Sequence, residues 1–463
     1  MRTAAVMALA LLSGCASFSQ DGGFGEVDAA VKSRAGQSSV WIRSDADAKA
    51  VAERVKQLLA APLGPEQAVA IALLNNRALQ AAFAEIGVSE AERVQAGRLV
   101  NPGFSFARLT RGDELEIERK LVLNLLDLFT LPQRVEIASQ RFEQIKLGAA
   151  LQAVRVAAAA RRAWFEAVAA RENANYFEQA KVAAEASAEL AERMARIGNS
   201  PRLARLREQA FYAEATAQLA RARQNALAAR ERLTRAMGLY GPETAFALPE
   251  RLPDLPPSAR EPLELEATAL RERLDVRAAK HEAESLAASL GLTRATRFVN
   301  VLELGALYST ETGKEPQKGW ELELRLPIFD TGDARLARAQ HLYMQAVNRA
   351  VHAAVNARSE VREAYAGYRT AYDLARHYRD EIVPLRKKIS EEHLLRYNGM
   401  LIGVFELIAD AREAMAGVNA YLGALRDFWL AESALQTALT GGPAGAGVEI
   451  RATALPAAAA VGH

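Results

Sequence analysis

One row of apolar side chains constrains the fold of this chain more than any other feature. From Ala339 to Ile389 an apolar residue, most often alanine, recurs every third or fourth position, covering 50 residues in 14 steps. The spacing of about 3.57 residues per step lies between a left-handed coiled coil and a straight α-helix. The row predicts a very long helix that packs side by side with others, with a bend at Pro384, which removes one backbone hydrogen bond.

A second long helical pattern runs from Pro132 to Gly198 without a clear stop. At 1.5 Å per residue it predicts a rod on the order of 100 Å long. Before it, we expect a short helix over 46–61 and one continuous helix from Pro65 to about Val100. Another helix is expected from Pro201 to Met237.

Between the helices, four stretches read as strands. From Trp320 to Asp330, apolar side chains alternate with charged ones, and alternate positions of a strand lie on opposite faces. Similar patterns occupy 104–110, 115–125 and 302–308. One apolar and one charged face fit either a soluble sheet that buries its leucines or a membrane barrel that turns them to lipid. The ionised residues of interest are Glu116, Glu118, Glu303, Glu321, Glu323 and Arg325.

The two halves of the chain repeat each other. Arg98-Leu99-Val100-Asn101 recurs as Arg297-Phe298-Val299-Asn300, and the sequence offset between matching residues drifts slowly along the half-chain. We predict duplicated units of helix, strand, strand, long helix and helix. The first repeat covers 62–240 and the second 263–440, with a Pro-rich linker over 241–262 and a disordered tail over 441–463.

The first residues predict export. Arg2 and a short apolar run precede Cys15, the only cysteine, so 1–14 reads as a lipoprotein signal peptide and Cys15 as the lipidation site. The alternative is an ordinary signal peptide with an incidental cysteine. Residues 15–61 are expected to form a tether without a core of its own, followed by the short helix. No other stretch approaches the roughly 20 apolar residues of a membrane helix, so any membrane crossing would use strands.

Together these features resemble the TolC-type outer membrane efflux proteins, specifically an outer membrane factor lipoprotein, over roughly 45–440. The resemblance implies a mainly α fold with a small membrane β-barrel, to which three chains each contribute four strands, and helices that continue as a tunnel across the periplasm. The local marks are Leu73 to Asn76, Asn101-Pro102, Leu326 to Asp330 with Gly332, Pro384, and Arg396 to Gly399 before Glu406-Leu407.

The resemblance also implies a location, partners and site residues. It places the protein in the bacterial outer membrane, lipid-anchored and extending into the periplasm, as a homotrimer in contact with outer membrane lipid, a periplasmic adaptor protein and an inner membrane transporter. The ionised strand residues would face the lumen. The periplasmic turns would contain Gly198, Asn199, Gly399 and Gly403, where glycine permits a tight reversal. Glu406 and Asp410, one helical turn apart, would form an acidic ring at the pore entrance; the alternative is an ordinary solvated helix face.

Composition and motifs narrow the function further. Lys plus Arg (58) nearly balances Asp plus Glu (56), so no nucleic acid partner is expected. The six histidines form no HxxxH or Cys/His cluster, and no phosphate-binding loop or nucleophile motif occurs, so we expect no metal, no cofactor and no enzyme activity. We expect a passive exit duct of a tripartite efflux or secretion system. The alternative is a lipid-tethered periplasmic coiled-coil scaffold without a pore, which would have no use for amphipathic strands.

Overall fold

A computed structural model describes residues 17–198, 201–261, 264–299 and 301–441. These ranges hold eleven α-helices and one four-stranded antiparallel sheet. The helices are α1 (Phe24–Ala35), α2 (Asp45–Leu58), α3 (Pro65–Asn75), α4 (Arg77–Ala96), α5 (Leu125–Arg196), α6 (Arg202–Met237), α7 (Leu265–Glu272), α8 (Leu274–Ala295), α9 (Asp333–His377), α10 (Val383–Asn398) and α11 (Val404–Thr440). The strands are β1 (Gly103–Arg111), β2 (Glu114–Asn124), β3 (Leu302–Glu311) and β4 (Gln317–Leu324).

The chain divides into two compact units. The first contains the sheet, with described residues 17–27, 81–150 and 274–356. The second contains 28–80, 151–273 and 357–441 of the described chain. The order helix, strand, strand, long helix, helix occurs in both halves of the sequence. That the halves arose by duplication stays a prediction.

The long helices are present as expected. Helix α5 runs for 72 residues without interruption, and Pro132 lies inside it. In α9 the alanine row is buried at Ala346, Ala357 and Ala371, as the seam of a helix packed against neighbours requires. A π-helical turn, Tyr378–Ile382, separates α9 from α10 just before Pro384, where the hydrogen-bond pattern of the helix changes. The bend expected at Pro384 stays a prediction.

The expectation of a single helix from Pro65 to Val100 is wrong. Asn76 adopts an extended backbone (φ −69°, ψ 114°) between α3 and α4. Its side-chain oxygen accepts a hydrogen bond from the backbone N–H of Leu79 at 3.2 Å, and its amide donates to the Ala236 carbonyl. Asparagine therefore ends one helix and caps the next, because its short side chain competes with the helical backbone for hydrogen bonds.

The N-terminal tether and the Pro-rich linker, both expected to lack packed structure, contribute buried side chains. The expected tether contains α1, in which Val27 and Val31 are buried, so the interpretation of this stretch as lacking a core is wrong. The Pro-rich linker forms a short 3₁₀ turn, Gly241–Thr244, followed by an irregular segment over 245–261. We call this segment the strap. Within the second unit the strap buries four apolar side chains: Phe246, Leu248, Leu252 and Leu255.

Hydrogen bonds hold this strap against the helices of the second unit. The indole N–H of Trp429 donates to the Pro253 carbonyl at 3.0 Å, and the Tyr372 hydroxyl donates to the Pro257 carbonyl at 2.9 Å. Prolines cannot donate backbone hydrogen bonds, but their carbonyls accept them. The strap is therefore part of the core around Trp164, whose own indole N–H donates to the Leu63 carbonyl at 2.6 Å.

Candidate functional site

The sheet has one strongly apolar face. In an antiparallel ladder, directly paired residues have their side chains on the same face. The pairs Phe104–Leu121, Leu121–Ala306 and Ala306–Trp320 therefore define one row across all four strands. Trp320 is 76% exposed and Phe104 67% exposed. The other exposed apolar residues of this face are Phe106, Leu123, Leu304, Tyr308, Leu322 and Leu324.

Three basic residues of the sheet, Arg108, Arg119 and Lys318, lie on the apolar face. All seven glutamates of the strands lie on the opposite face, which we call the charged face. Glu116, Glu118, Glu303, Glu321 and Glu323 all share it, as the alternating pattern predicted. Lys120 lies among them, and its ammonium is 2.7 Å from a carboxylate oxygen of Glu321. Gly305 pairs with Glu321 and has no side chain, so the stem of Lys120, which itself pairs with Leu307, lies across the glycine, with Cε 3.2 Å from the position of a Cβ there.

The apolar face of the sheet is not covered by a core. Leu121, Leu304 and Leu322 are 45%, 38% and 52% exposed. A soluble protein would bury the leucine face against a core and leave the charged face in water. The first unit instead leaves both faces open to a similar degree, since the side chains of Glu321 and Glu323 are 42% and 45% exposed.

Strands β1 and β4 form the two edges of the sheet, because the spatial order is β1, β2, β3, β4. Each edge presents a row of backbone N–H and C=O groups that can pair with another strand. Since neighbouring strands are antiparallel throughout, β1 and β4 run in opposite directions. A β4 edge of one chain can thus extend the same antiparallel pattern by pairing with the β1 edge of another.

Arg325 does not belong to a strand. Strand β4 ends at Leu324, and Arg325 follows it with its guanidinium 3.7 Å from Glu323. The prediction of Arg325 as a strand residue is therefore wrong by one position. The next proline, Pro327, restricts Leu326 and disfavours continued pairing.

The strands β2 and β4 end, and the strands β1 and β3 begin, at the same end of the sheet. We call this end the foot of the sheet. The segments that leave it expose apolar side chains, and Phe329 is 100% exposed. The other exposed apolar residues of these segments are Leu99, Val100, Leu128, Phe129, Phe298, Leu326 and Ile328.

The two helical turns differ in how they reverse. Gly198 has φ +74°, the left-handed conformation that glycine adopts without strain. At the second turn Gly399 has φ −78° and Gly403 φ −83°, values open to any residue. The left-handed residue is instead Met400, with φ +61° and a side chain that is 92% exposed. Gly399 and Gly403 are therefore not needed for their conformational freedom, and the sequence carries no signal for the strain at Met400.

Of the expected acidic pair, only Glu406 is exposed. Asp410 is 6% exposed and lies inside the α10–α11 hairpin. The Ser390 hydroxyl donates to Asp410 Oδ2 at 2.6 Å, and Nδ1 of His393 is 3.3 Å from Oδ1. Residues four apart differ by about 40° around a helix, enough for one to face solvent and the other the partner helix.

A second buried carboxylate was not anticipated by the sequence patterns. Glu208 of α6 is 4% exposed and accepts a hydrogen bond from the Ser187 hydroxyl of α5. Arg412 of α11 forms an ion pair with the same carboxylate, and its guanidinium stacks 4.0 Å from the ring centre of Phe211. This cluster joins three helices of the second unit. Its members are too far apart in sequence for spacing to reveal it.

Cys15 and Asn199 lie outside the described residues, as do the signal peptide and nearly all of the tail. Within the described ranges, no group of three or more His, Cys, Asp or Glu side chains is arranged to hold a metal ion. No helix in those ranges combines the length and the apolar character that a bilayer-spanning helix requires.

Comparison with solved structures identifies the fold. VceC, an outer membrane protein from Vibrio cholerae, superposes with a TM-score of 0.68 at 16% sequence identity, covering 82% of this chain and 96% of that chain. The Campylobacter jejuni outer membrane channel CmeC gives 0.65 at 17% identity, covering 82% and 86%. The open state of the Neisseria gonorrhoeae outer membrane channel MtrE gives 0.63 at 21% identity, covering 81% and 88%.

No protein-family model matches the sequence, and no curated protein matches it. The mostly helical fold with a small antiparallel sheet is that of the solved outer membrane channels. The mainly α fold with a small sheet that the TolC-type resemblance implied is therefore confirmed, and the barrel shared by three chains stays a prediction.

Proposed function

We propose that this chain is one subunit of a homotrimeric outer membrane channel, the passive exit duct of a tripartite efflux or secretion system. Its sheet would form one third of a membrane β-barrel, and its helices would continue into the periplasm. A periplasmic adaptor protein and an inner membrane transporter would supply direction and energy. The likeness to outer membrane channels supports this proposal.

The observation that carries the proposal is the exposed apolar face of the sheet. An exposed face of leucines and aromatics, opposite a charged face with Lys120 paired to Glu321, fits hydrocarbon on one side and water on the other. The charged residues of the sheet then have a role: Glu116, Glu118 and Glu303 would line the aqueous lumen, with Arg325 just beyond the strand.

The trimer is what the resemblance to TolC-type channels implies, and the β1 and β4 edges of the sheet are compatible with it. Four strands of this length are too few to close a membrane barrel, since known single-chain barrels begin at about eight strands. Cyclic pairing of β4 with the β1 of the next chain would satisfy every edge group and preserve antiparallel order. Three copies would form twelve strands.

The remaining site residues are assigned by the same proposal. Cys15 would carry the lipid anchor. The turns at Gly198–Asn199 and Gly399–Gly403 would lie at the periplasmic tip, with Glu406 at the pore entrance. Asp410 would hold the hairpin behind Glu406 through Ser390, rather than face the pore itself.

A lysine substitution on each face of the sheet tests whether the apolar face contacts lipid. Leu322→Lys places an ammonium on the apolar face, where a lysine near mid-membrane costs about 2–4 kcal/mol in each subunit. Glu323→Lys makes a larger charge change one position away, on the charged face. We expect L322K to lose the outer membrane fraction and E323K to retain it, measured by membrane fractionation of the full chain. Equal recovery of L322K in that fraction would contradict the proposal, as would wild-type protein that stays in the aqueous fraction without detergent.

Cysteine crosslinking tests the trimer. Ala107→Cys on β1 is combined, one at a time, with cysteines at Gln317, Gly319, Glu321 or Glu323 on the same face of β4, in a Cys15→Ala background. At least one pair should yield dimers and trimers on non-reducing gels. As a control, Ala107→Cys alone should give no ladder. Failure of the whole series would contradict β1–β4 pairing between chains.

A further inference from the structure

A cavity of about 320 Å³ opens beside the foot of the sheet, between the end of α8 and the start of α9. Three arginines line it, Arg297, Arg335 and Arg338. The rest of its wall consists of leucine, alanine, glycine, serine and threonine, without a carboxylate. The cavity lies wholly within the first unit.

Gly332 brings two of these arginines together. A Cβ at this glycine would lie 3.1 Å from Cγ of Arg297 and 3.2 Å from Nη2 of Arg335. The glycine has φ +73°, which any other residue adopts only with strain. Its missing side chain therefore leaves room for both arginines in the wall of one cavity.

The cavity carries an excess of positive charge. Arg335 has one carboxylate nearby, Asp330 at 3.6 Å, and that carboxylate already accepts a hydrogen bond from the Gly332 N–H at 2.9 Å. Arg297 donates to the neutral Thr331 carbonyl at 2.9 Å. In the part of the chain that the structure describes, Arg338 has no ion pair. The N-terminal end of α9 adds the partial positive charge of a helix dipole.

Exposed apolar side chains adjoin the cationic cavity along the chain. Phe298 follows Arg297 directly and is 59% exposed. Ile328 and Phe329 precede Asp330 and Gly332 in the other wall segment, and they are 71% and 100% exposed. A ligand with an anionic group and an apolar portion could contact both regions at once, whereas a small free anion would use only the arginines.

We propose that this cavity binds the phosphate group of an anionic lipid, with the acyl chains against the apolar residues of the foot of the sheet. Guanidinium groups suit this ligand because their planar forks match phosphate oxygens. The inference rests on the proposed membrane location. It assigns the foot of the sheet to the level of the lipid head groups.

Lipid retention tests the site. Purified full-length protein in neutral detergent is titrated with dioleoyl phosphatidylglycerol, with dioleoyl phosphatidylcholine and with inorganic phosphate, and bound lipid is counted by native mass spectrometry. The wild type should bind phosphatidylglycerol at least tenfold more tightly than phosphatidylcholine. Arg338→Gln should weaken this preference about fivefold. Among the described residues Arg338 is the arginine of the three whose guanidinium forms neither an ion pair nor a hydrogen bond, so its loss should not disturb folding. Arg358→Gln, an exposed arginine further along α9, is the matched control and should behave as wild type.

The arms separate the possible outcomes. Arg338→Gln that retains the full preference, or a wild type that does not distinguish the two lipids, would overturn the site. Displacement of phosphatidylglycerol by equimolar inorganic phosphate would overturn the lipid assignment and leave a simple anion site. Single-channel conductance of the same variant keeps the two proposals apart: a conducting pore that shows no lipid preference refutes the site alone, and a chain that never conducts refutes the channel.

Discussion

At the scale of single residues, the carboxyl group of Asp410 is held inside a helical hairpin. Its two oxygens face the Ser390 hydroxyl and the His393 ring. Glu406, one turn earlier in the same helix, is exposed. The two carboxylates therefore have different physical roles, although their spacing alone makes them look equivalent.

Alanine at each position should separate these roles. Asp410→Ala leaves a buried serine hydroxyl without its acceptor and should lower the free energy of unfolding by about 2 kcal/mol. Glu406→Ala changes an exposed side chain and should alter it by less than about 0.5 kcal/mol. Thermal unfolding in detergent measures both, and equal destabilisation by the two variants would contradict the assignment.

Glu432 should make stability depend on pH. Burial raises the pKa of Glu432, although Arg260 lies 3.2 Å away and opposes the shift. The folded state therefore holds this proton more tightly than the unfolded state does. Stability is lost as pH rises from the ordinary glutamate pKa through the raised value, and the penalty is complete above it.

Glu432→Gln removes that penalty. At neutral pH the variant should be more stable than wild type, and near pH 4 the difference should vanish. Melting temperatures measured across this pH range test the sign. The exposed Glu231→Gln serves as a control that should show no such trend. A variant less stable than wild type at neutral pH would mean that the Arg260 pair outweighs desolvation.

At the scale of elements, the C-terminal end of α6 is fitted closely to the end of α3. Gly238 caps α6 with φ +70°, and its N–H donates to the Arg235 carbonyl. A Cβ at this position would lie 3.0 Å from the Asn75 carbonyl oxygen and 3.2 Å from the Asn76 Cα. These are backbone atoms, so the neighbour cannot rotate away.

Gly238→Ala should therefore lower the free energy of unfolding by more than the strain of a left-handed alanine alone would. Gly241 has φ +60° with no atom within 4 Å of a Cβ, so Gly241→Ala reports conformational strain by itself. We expect a loss of about 1 kcal/mol for Gly241→Ala and about 3 kcal/mol for Gly238→Ala. Chemical or thermal unfolding of both variants measures the difference, and equal losses would show that the packing against α3 carries no cost.

The elements also show which sequence signals were sufficient. The alternation from Trp320 to Leu324 and the alanine row of α9 predicted strand faces and a helix seam, because period two and period 3.6 are local properties. The break at Asn76 depends on a carbonyl of α6, Ala236, which local pattern does not contain. The same limit applies to Glu208 with Arg412 and to the arginine cavity, whose members meet only in the folded chain.

At the scale of the whole molecule, the charged face of the sheet is strongly acidic. Seven glutamates lie on this face, and its basic residues are Lys120 and Arg111. In the proposed trimer this excess is repeated three times around one lumen. A narrow, water-filled passage lined by carboxylates concentrates cations and repels anions.

The proposed pore should therefore prefer cations. In planar bilayers at about 0.1 M KCl, where the Debye length is about 10 Å, we expect the potassium permeability to exceed that of chloride severalfold. At about 1 M KCl the Debye length falls to about 3 Å, and the preference should decline. Reversal potentials measured across a salt gradient give the permeability ratio directly.

Removing carboxylates tests whether the sheet is the origin of this selectivity. The triple variant Glu116→Gln, Glu118→Gln, Glu303→Gln should bring the permeability ratio toward one, because it removes nine negative charges per trimer from the charged face. A control triple variant removes the same number of exposed carboxylates from positions outside the sheet, Glu53, Glu231 and Glu250, and should keep the wild-type ratio. If instead the control lowers selectivity and the sheet variant does not, the charged face does not line the conducting path, and the assignment of the two faces to lumen and lipid fails.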